Sequence, residues 1–545
     1  MRMKILTVLL LASCTPESEE ADDAAAFELL SPRQQLIRLS VDLRGIHPSE
    51  VELQAIEQAP ALYDKFADEW LEQPAFIERT KELFNYRFLS RTGDTYFDIA
   101  QRDLSNVGDA KMGEFIANEP LALLEYIIDN DLPYSYIVTA PHSMANPQLA
   151  QMWDMYYPED SRGWQPVIYK DGRPHSGMLT MTTMWERYPS MGGNANRHRA
   201  NAISKMFLCD DYLSRPVVLN RAAVDQLTID PENAISVNAS CQSCHSTLDP
   251  IASNFFGFFN YDDQLGIERT MYRPEMEEEW RYYSGKEPGY YGRPTSNIIE
   301  FGEQLAKDQR FMDCAVKTVF EGLTQREITD NDWSEVQPHA NRFAETGQNI
   351  RELMRSIVKS DEYKAATVNN VDRAQEIATV KLVSPAQLES IIEDKTGYKW
   401  TFNGRDGLTT NDMGLPTLMG GIDSRSIVEP SYTPSVGGLF IQERLAMSAG
   451  FYVASTDLAL DREGPARLLK FVTIEDTPEA SPDAFDAQIR DLYLQLTGIP
   501  LPVDATEPNE LMQLWKYQYS IEADPTRAWS SVVSAVLRDP NIIFY

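Results

Sequence analysis

Positive charge is scarce in this sequence of 545 residues. Lysine and arginine total 49, against 82 aspartate and glutamate residues, so the formal net charge is −33 at pH 7. A phosphate backbone would repel so acidic a chain, and we therefore expect no nucleic-acid partner. The acidity has two remaining explanations: it keeps the protein soluble, or it attracts a basic partner protein.

Long apolar runs and familiar catalytic motifs are also missing. No stretch approaches the roughly 18 apolar residues that cross a bilayer, and the strongly apolar segment lies at the very start. The chain has no G-x-S-x-G, P-loop, H-E-x-x-H or dinucleotide-binding glycine pattern. The body of the chain is therefore not expected to be embedded in a membrane, and none of these catalytic classes is indicated.

The first residues follow the pattern of a bacterial lipoprotein export signal. Arg2 and Lys4 precede a short apolar run over residues 5–12, and Leu-Ala-Ser stands directly before Cys14. This order predicts a signal peptide over residues 1–13 and an acylated, lipid-anchored Cys14. The acidic stretch 14–26 is typical of a disordered tether, and Thr15 in place of Asp indicates the outer membrane. The alternative is an ordinary secretory signal with an incidental Cys14.

Cysteine is rare, and two of the five cysteines stand in one motif. The stretch NASCQSCHSTLDP, residues 238–250, contains Cys241, Cys244 and His245 in the order C-x-x-C-H. This spacing is typical of c-type haem attachment: both thiols bond the haem vinyl groups and the imidazole ligates iron. The alternatives are a redox C-x-x-C, which would need a β-α-β context, and half of a zinc site, which would need a second ligand pair. We therefore expect one covalent haem c.

Two cysteines remain once Cys14 is assigned to lipid and the C-x-x-C-H motif to haem. They are Cys209 and Cys314. An exported chain folds in an oxidising compartment, which favours a disulfide between them. Two buried, unpaired thiols are the alternative.

Helical signals dominate the rest of the chain. Residues 31–46, 384–398 and 481–499 each begin with Ser-Pro and end at a Gly stop. Ser-Pro is typical of a helix start and Gly of a helix end, so we interpret these segments as duplicated helices. We predict a mostly α, multi-segment protein with an embedded cytochrome-c-like haem domain and a C-terminal helical domain.

The predicted domains follow from these patterns. An N-terminal helical domain spans 27–150, a haem-containing domain 151–372 and a C-terminal helical domain 380–545. Within the second lie the haem segment 237–270, an irregular Gly-, Pro- and Tyr-rich excursion 271–297, and helices over 301–367.

Several stretches resemble one family, the large exported cytochrome-c proteins first catalogued in planctomycetes, with relatives among myxobacterial lipoproteins. They are CQSCHSTLDPIASNFFGFFNYD, SGMLTMTTMWERYPSMGGNANRHRANAISKMFLC and ETGQNIRELMRSIVKSDEY. Two positions depart from the family pattern: Leu248 replaces Met before Asp-Pro, and Ala200 replaces Gly after Arg199. The resemblance implies a single covalent haem and a mostly helical fold, and it implies no particular reaction.

A haem held by this motif would also need a ligand, or an open position, on the face opposite His245. Met271 or Met276, which follow the motif, are the leading candidates for the sixth iron ligand, with His175 and His198 behind them. An open sixth position would instead permit peroxide chemistry.

Other residues are expected around the haem. Arg197 and Arg199 are candidates to pair with the haem propionates, unless they are a solvated helix start. The other ring nitrogen of His245 should be held by a backbone carbonyl at or near Pro250. A run of aromatic side chains is expected to wall the ring or to be plain core: Phe255, Phe256, Phe258 and Phe259.

The expected function is that of a membrane-anchored, mono-haem c-type cytochrome in electron transfer with an unidentified redox partner. The alternatives are a haem enzyme, either a peroxidase or the electron-accepting part of an oxidoreductase, and a surface scaffold that binds a partner. One haem needs about 100 residues, so most of this chain has a role that the haem does not explain.

Overall fold

The structure is a computed structural model. It describes residues 27–93, 99–190, 193–216, 238–258, 271–329, 332–368, 380–410, 413–462 and 464–545, with the single positions 225 and 235. The predicted signal peptide, the tether, the lipidation site Cys14 and Phe259 lie outside the described residues. None of the described helices combines the length and apolarity needed to span a bilayer.

The described residues are mostly helical, which confirms the predicted mostly α class, while the embedded haem domain stays a prediction. Their α-helices are α1 Pro32–Arg44, α2 Glu50–Gln58, α3 Tyr63–Trp70, α4 Pro74–Phe88, α5 Asp109–Asp129, α6 Tyr136–Thr139, α7 Pro147–Met152, α8 Thr182–Arg187, α9 Arg197–Leu208, α10 Ala239–Ser253, α11 Trp280–Tyr283, α12 Ile298–Ala306, α13 Gln309–Thr324, α14 Trp333–Glu345, α15 Ile350–Val358, α16 Asp361–Lys364, α17 Pro385–Thr396, α18 Leu415–Leu418, α19 Val436–Asp457, α20 Pro482–Thr497, α21 Glu507–Glu522, α22 Pro525–Val536 and α23 Pro540–Ile543.

The strands are short and form small antiparallel sheets. They are β1 Phe27–Leu29, β2 Ser143–Ala145, β3 Met155–Tyr156, β4 Gln165–Tyr169, β5 Gly289–Tyr290, β6 Arg293–Pro294, β7 Ala365–Val368, β8 Thr401–Phe402 and β9 Arg405–Asp406. The sheets are β1-β7, β2-β4-β3, β5-β6 and β8-β9. The β5-β6 hairpin lies in the predicted excursion, and β1-β7 joins the two ends of the 27–368 region.

The Ser-Pro segments fold into helices α1, α17 and α20, as their Ser-Pro starts and Gly ends predict. Ser31 and Ser384 each form a reciprocal capping box with the glutamine three residues later. Each of the three helices ends at a glycine in the left-handed conformation. Glycine adopts this conformation without strain because it has no side chain. Ser481 makes no side-chain cap bond, so the third segment keeps the Ser-Pro start without the box.

One large buried apolar cluster extends through the chain, from Leu36 in α1 to Ile543 in α23. It includes Phe207 of α9, Ile251 of α10 and Phe320 of α13. Helix α9 packs between α10 and α13, and α13 also contacts α4. The helix that bears the C-x-x-C-H motif therefore rests on the main core, and the predicted division into three domains stays a prediction.

Candidate haem site

The C-x-x-C-H motif occupies the first two turns of α10. Asn238 caps the helix by accepting a hydrogen bond from the Ser240 backbone N–H at 2.9 Å. Pro250 lies inside the helix, where it has no N–H to donate to the preceding turn. Cys241 and Cys244 are three residues apart, so both thiols project from one side of the helix. Both are half-buried, and neither forms a disulfide.

His245 is oriented by a carboxylate rather than by a backbone carbonyl. Its Nδ1 lies 2.9 Å from Oδ1 of Asp249, one helical turn further on. The expected carbonyl partner near Pro250 is wrong, because Nδ1 meets the Asp249 carboxylate instead. No described residue hydrogen-bonds Nε2 of His245, and its side chain is 24% exposed. Nε2 is thus the nitrogen that could ligate iron.

Asp249 is the buried centre of this arrangement, with a side chain only 3% exposed. Arg197 donates to it through Nε at 2.7 Å and through Nη2 at 3.1 Å, one bond to each carboxylate oxygen. Burial would raise the pKa of the Asp249 carboxyl, but the bonds with His245 and Arg197 outweigh it and lower that pKa. Asp249 is therefore an ionised acceptor at neutral pH.

The two arginines predicted for haem propionates have different surroundings. Arg197 is bound to Asp249, as described above. Arg199 is buried and donates to three neutral oxygens, those of Tyr188, Asn196 and Phe258, at 2.7–3.0 Å. Burial lowers the pKa of Arg199 to about 9, and no carboxylate of the described residues pairs with it. A charged guanidinium without a counter-ion is costly in a protein interior, so this position suits an added anion.

A polar atom beside Arg199 has no hydrogen-bond partner among the described residues. Asn196 is fully buried, and its side-chain Nδ2 has no hydrogen-bond partner. Unpaired buried donors are rare because each loses its bonds to water. The Asn196 amide and the Arg199 guanidinium therefore offer donors to an acidic group, which fits a haem propionate. Both belong to the segment that begins α9, the helix packed against α10.

The candidate sixth ligands lie in separate places. Met271 is 40% exposed and borders a small cavity lined by Trp153, Lys170 and Arg173. Met276 packs with Phe256 in a small apolar cluster. The structure does not choose between them, so the sixth ligand stays a prediction.

The two candidate histidines have other contacts. His175 accepts a hydrogen bond from the Tyr169 backbone through Nε2, and burial with the charge of Arg173 lowers the pKa of His175 to about 4. His198 meets Tyr188 edge-to-face, and burial lowers its pKa as well.

Phe255, Phe256 and Phe258 are buried, and two of them pack on a tryptophan that sequence reasoning missed. Trp185 of α8 stacks on Phe258 with ring centroids 4.5 Å apart and contacts Phe255 at 5.4 Å. The Arg199 guanidinium lies 4.6 Å from the Trp185 ring centre. Asp249 was also missed, although an acidic residue four positions after a helical His is a readable signal.

Cys209 and Cys314 form the predicted disulfide. Their sulfurs are 2.07 Å apart, across a sequence separation of 105 residues. Cys209 is the left-handed C-cap of α9, and Cys314 lies in α13. The bond fixes the helix that carries Arg197 and Arg199 to a core helix. In the described ranges, no group of three or more His, Cys, Asp or Glu side chains is placed to hold a metal ion by itself.

One comparison with known proteins gives a match. The model of a family described as a protein of unknown function (DUF1585) matches residues 291–363, from the β5-β6 hairpin to α16. This span includes the segment ETGQNIRELMRSIVKSDEY and follows the C-x-x-C-H motif without containing it. No curated protein and no solved structure matches the chain.

Proposed function

We propose that the protein is an exported mono-haem c-type cytochrome that transfers electrons. Cys241 and Cys244 would attach the haem covalently, and Nε2 of His245 would ligate its iron. The observation that carries the proposal is the C-x-x-C-H motif on the first turns of a capped helix, with both thiols unpaired and the imidazole held through Nδ1. A haem in this place supplies a one-electron Fe(III)/Fe(II) couple.

The surroundings of the motif support this assignment. Arg199 and Asn196 would bind a propionate, since both have donors without an anionic partner. Phe255, Phe258 and Trp185 form a buried aromatic group directly after α10, which would exclude water there. Asp249 holds the ring of His245 through Nδ1 and is itself held by Arg197.

The proposal extends to location and partner. Acylated Cys14 would hold the protein at the outer membrane, and the net charge of −33 would attract a basic, soluble electron carrier. Metabolic labelling with a fatty acid tests the anchor. We expect label in the wild type and none in Cys14→Ser, and an unlabelled wild type would exclude the anchor.

A haem enzyme is the second candidate, and the carboxylate behind His245 favours it. A carboxylate makes the ligating imidazole a stronger donor, which suits chemistry at an open iron position. The two candidates differ in the sixth ligand. A low-spin spectrum with two axial ligands supports electron transfer, whereas a high-spin spectrum supports an enzyme.

Covalent haem is tested by expressing the full chain together with a cytochrome c maturation system. We expect a haem-stained band on a denaturing gel and sharp reduced-state absorption peaks. Cys241→Ser combined with Cys244→Ser should abolish the stain, because no thioether can form. Ser243→Ala is the matched control: it changes an exposed residue inside the motif, keeps C-x-x-C-H and should stain like the wild type. An unstained wild type would overturn the proposal.

A further inference from the structure

We propose that Asp249 is a positioning residue that strengthens the bond from His245 to haem iron and lowers the midpoint potential, and that Arg197 limits this effect. The inference rests on the proposed function, since it concerns the same ligand. It adds that two residues outside the C-x-x-C-H motif set the midpoint potential of the haem.

Helix geometry makes the His245–Asp249 bond direct. The two residues are four apart on α10, so their side chains lie one above the other on the same helix face. Nδ1 and Oδ1 are 2.9 Å apart, the length of a normal hydrogen bond. With Nδ1 donating to the carboxylate, the imidazole presents Nε2 as its free lone pair.

The carboxylate acts on the ligand as well as orienting it. An ionised acceptor binds an N–H about twice as strongly as a neutral carbonyl does. Asp249 is 3% exposed, so water does not compete for its oxygens. The proton is drawn toward Asp249, and the imidazole gains negative character and becomes a better donor to a metal. A stronger donor stabilises Fe(III) over Fe(II), which lowers the potential.

Arg197 opposes this effect through the same atom. Its Nε donates to Oδ1 at 2.7 Å, the oxygen that also receives Nδ1 of His245, and its Nη2 binds Oδ2 at 3.1 Å. An oxygen shared by two donors gives less electron density to each. Asp249 therefore accepts hydrogen bonds from the proposed iron ligand on α10 and from a cation on α9, and the two donors compete for the same oxygen.

The opposed roles predict shifts of opposite sign. We expect Asp249→Asn, which keeps the shape but offers a neutral acceptor, to raise the Fe(II)/Fe(III) ratio at a fixed potential about tenfold, equivalent to about 59 mV for one electron. Arg197→Gln should lower the ratio, because the whole carboxylate is then available to His245. A redox titration of the haem-loaded full chain measures both.

Losing a charge shifts the potential by itself, so one control removes a negative charge that has no bond to His245. Asp211 accepts from Asn201 and caps the short turn after α9, and it has no contact with His245. Asp211→Asn also removes one negative charge, and we expect it to change the ratio less than twofold. Shifts of the same sign in Asp249→Asn and Arg197→Gln, or a shift in Asp249→Asn no larger than the control, would overturn the inference.

A spectroscopic readout reports the bond itself. In the five-coordinate ferrous state formed by photolysis of the carbon monoxide complex, the iron–imidazole stretching frequency rises with ligand donation. We expect the order Arg197→Gln, wild type, Asp249→Asn from highest to lowest. An unchanged frequency in both variants would contradict a role beyond packing.

The haem stain is read first in each protein and keeps the two proposals distinct. A wild type without covalent haem overturns the proposed function and this inference together. A haem-loaded wild type with the same potential and frequency in all variants overturns the inference alone. If Asp249→Asn matures without haem, Arg197→Gln decides: a lower ratio with a higher frequency supports the inference, and no change overturns it.

Discussion

Two buried aspartates in this molecule have similar chemistry and opposite settings. Asp42 of α1 accepts from Lys381 at 2.6 Å and from the hydroxyl groups of Tyr363 and Tyr545 at 2.5 and 2.7 Å. Asp249 of α10 accepts from Arg197 and His245. We call these the closed cluster and the open cluster. Each combines a carboxylate with a cation and one or more ring side chains.

The two clusters differ in the exposure of the side chains that bind the aspartate and in whether those side chains keep a free polar atom. Lys381 is 2% exposed, and it and both tyrosines direct their polar ends to Asp42. The closed cluster therefore joins α1 to α16, to the residues before α17 and to the end of the chain after α23. In the open cluster, Arg197 and His245 are 20% and 24% exposed, and Nε2 of His245 has no partner among the described residues. A buried carboxylate can thus hold chain segments together or aim a side chain outward, and only the partners' free atoms distinguish the two roles.

The largest expected effect concerns the covalent support of the open cluster. Replacing both Cys209 and Cys314 by Ser removes a cross-link over 105 residues, which should cost about 4–5 kcal/mol in the free energy of unfolding. Hydrogen exchange should increase in α9 and α13 more than in α1 and α17, because the bond lies between the first pair. Equal loss of exchange protection in both pairs of helices would contradict a local role of the disulfide. As a control, a reductant added to the wild type should reproduce the effect of the substitutions.

The next effect compares the clusters directly. Asp42→Ala leaves Lys381 buried without a counter-ion and should lower the free energy of unfolding by about 3–5 kcal/mol. Asp249→Ala should cost about 1–2 kcal/mol, because Arg197 and His245 can turn to water. Urea unfolding of the two variants measures both. The distinction between closed and open fails if the two losses are equal.

The third effect concerns acid sensitivity next to α1, the helix of the closed cluster. His47, just after α1, bonds the Leu496 carbonyl of α20 at 3.0 Å. Burial, with a smaller contribution from Lys395, lowers the pKa of His47 to about 4. Unfolding restores a normal pKa near 6.5, so unfolding takes up a proton between these values and stability falls as pH drops from 6.5 to 4.

This contribution amounts to at most about 3 kcal/mol, at about 1.4 kcal/mol per pKa unit. Unfolding measured from pH 7 to pH 4 should show a shallower loss in His47→Gln, whose amide can keep the bond to Leu496 without titrating. Identical pH profiles for the variant and the wild type would show that His47 is not part of the acid response.

Local chemistry made several features predictable. Ser31 and Ser384 start their helices as the Ser-Pro and glutamine spacing indicates, because a capping box involves only neighbouring residues. The disulfide followed from counting cysteines in an oxidising compartment. The third Ser-Pro segment shows the limit: Ser481 lacks the glutamine three residues later and makes no cap bond.

Partners distant in sequence were not predictable. Arg197 and Asp249 are 52 residues apart, and Lys381 reaches Asp42 over 339 residues. Arg199 was expected to bind an anion, but its burial among three neutral oxygens appears only when α8, α9 and the turn after α10 are packed. Such contacts depend on which helices pack against each other, and no local sequence pattern predicts that packing.

Spacing, capping and cysteine count are properties of the chain alone, and they were enough to identify the C-x-x-C-H motif and to predict the helical class and the disulfide. Tertiary structure decided that a carboxylate and not a carbonyl holds His245, and that an arginine of another helix shares that carboxylate. The physical reason is burial: packing α9 on α10 removes water from Asp249, and its oxygens then bind the donors that the fold brings within reach.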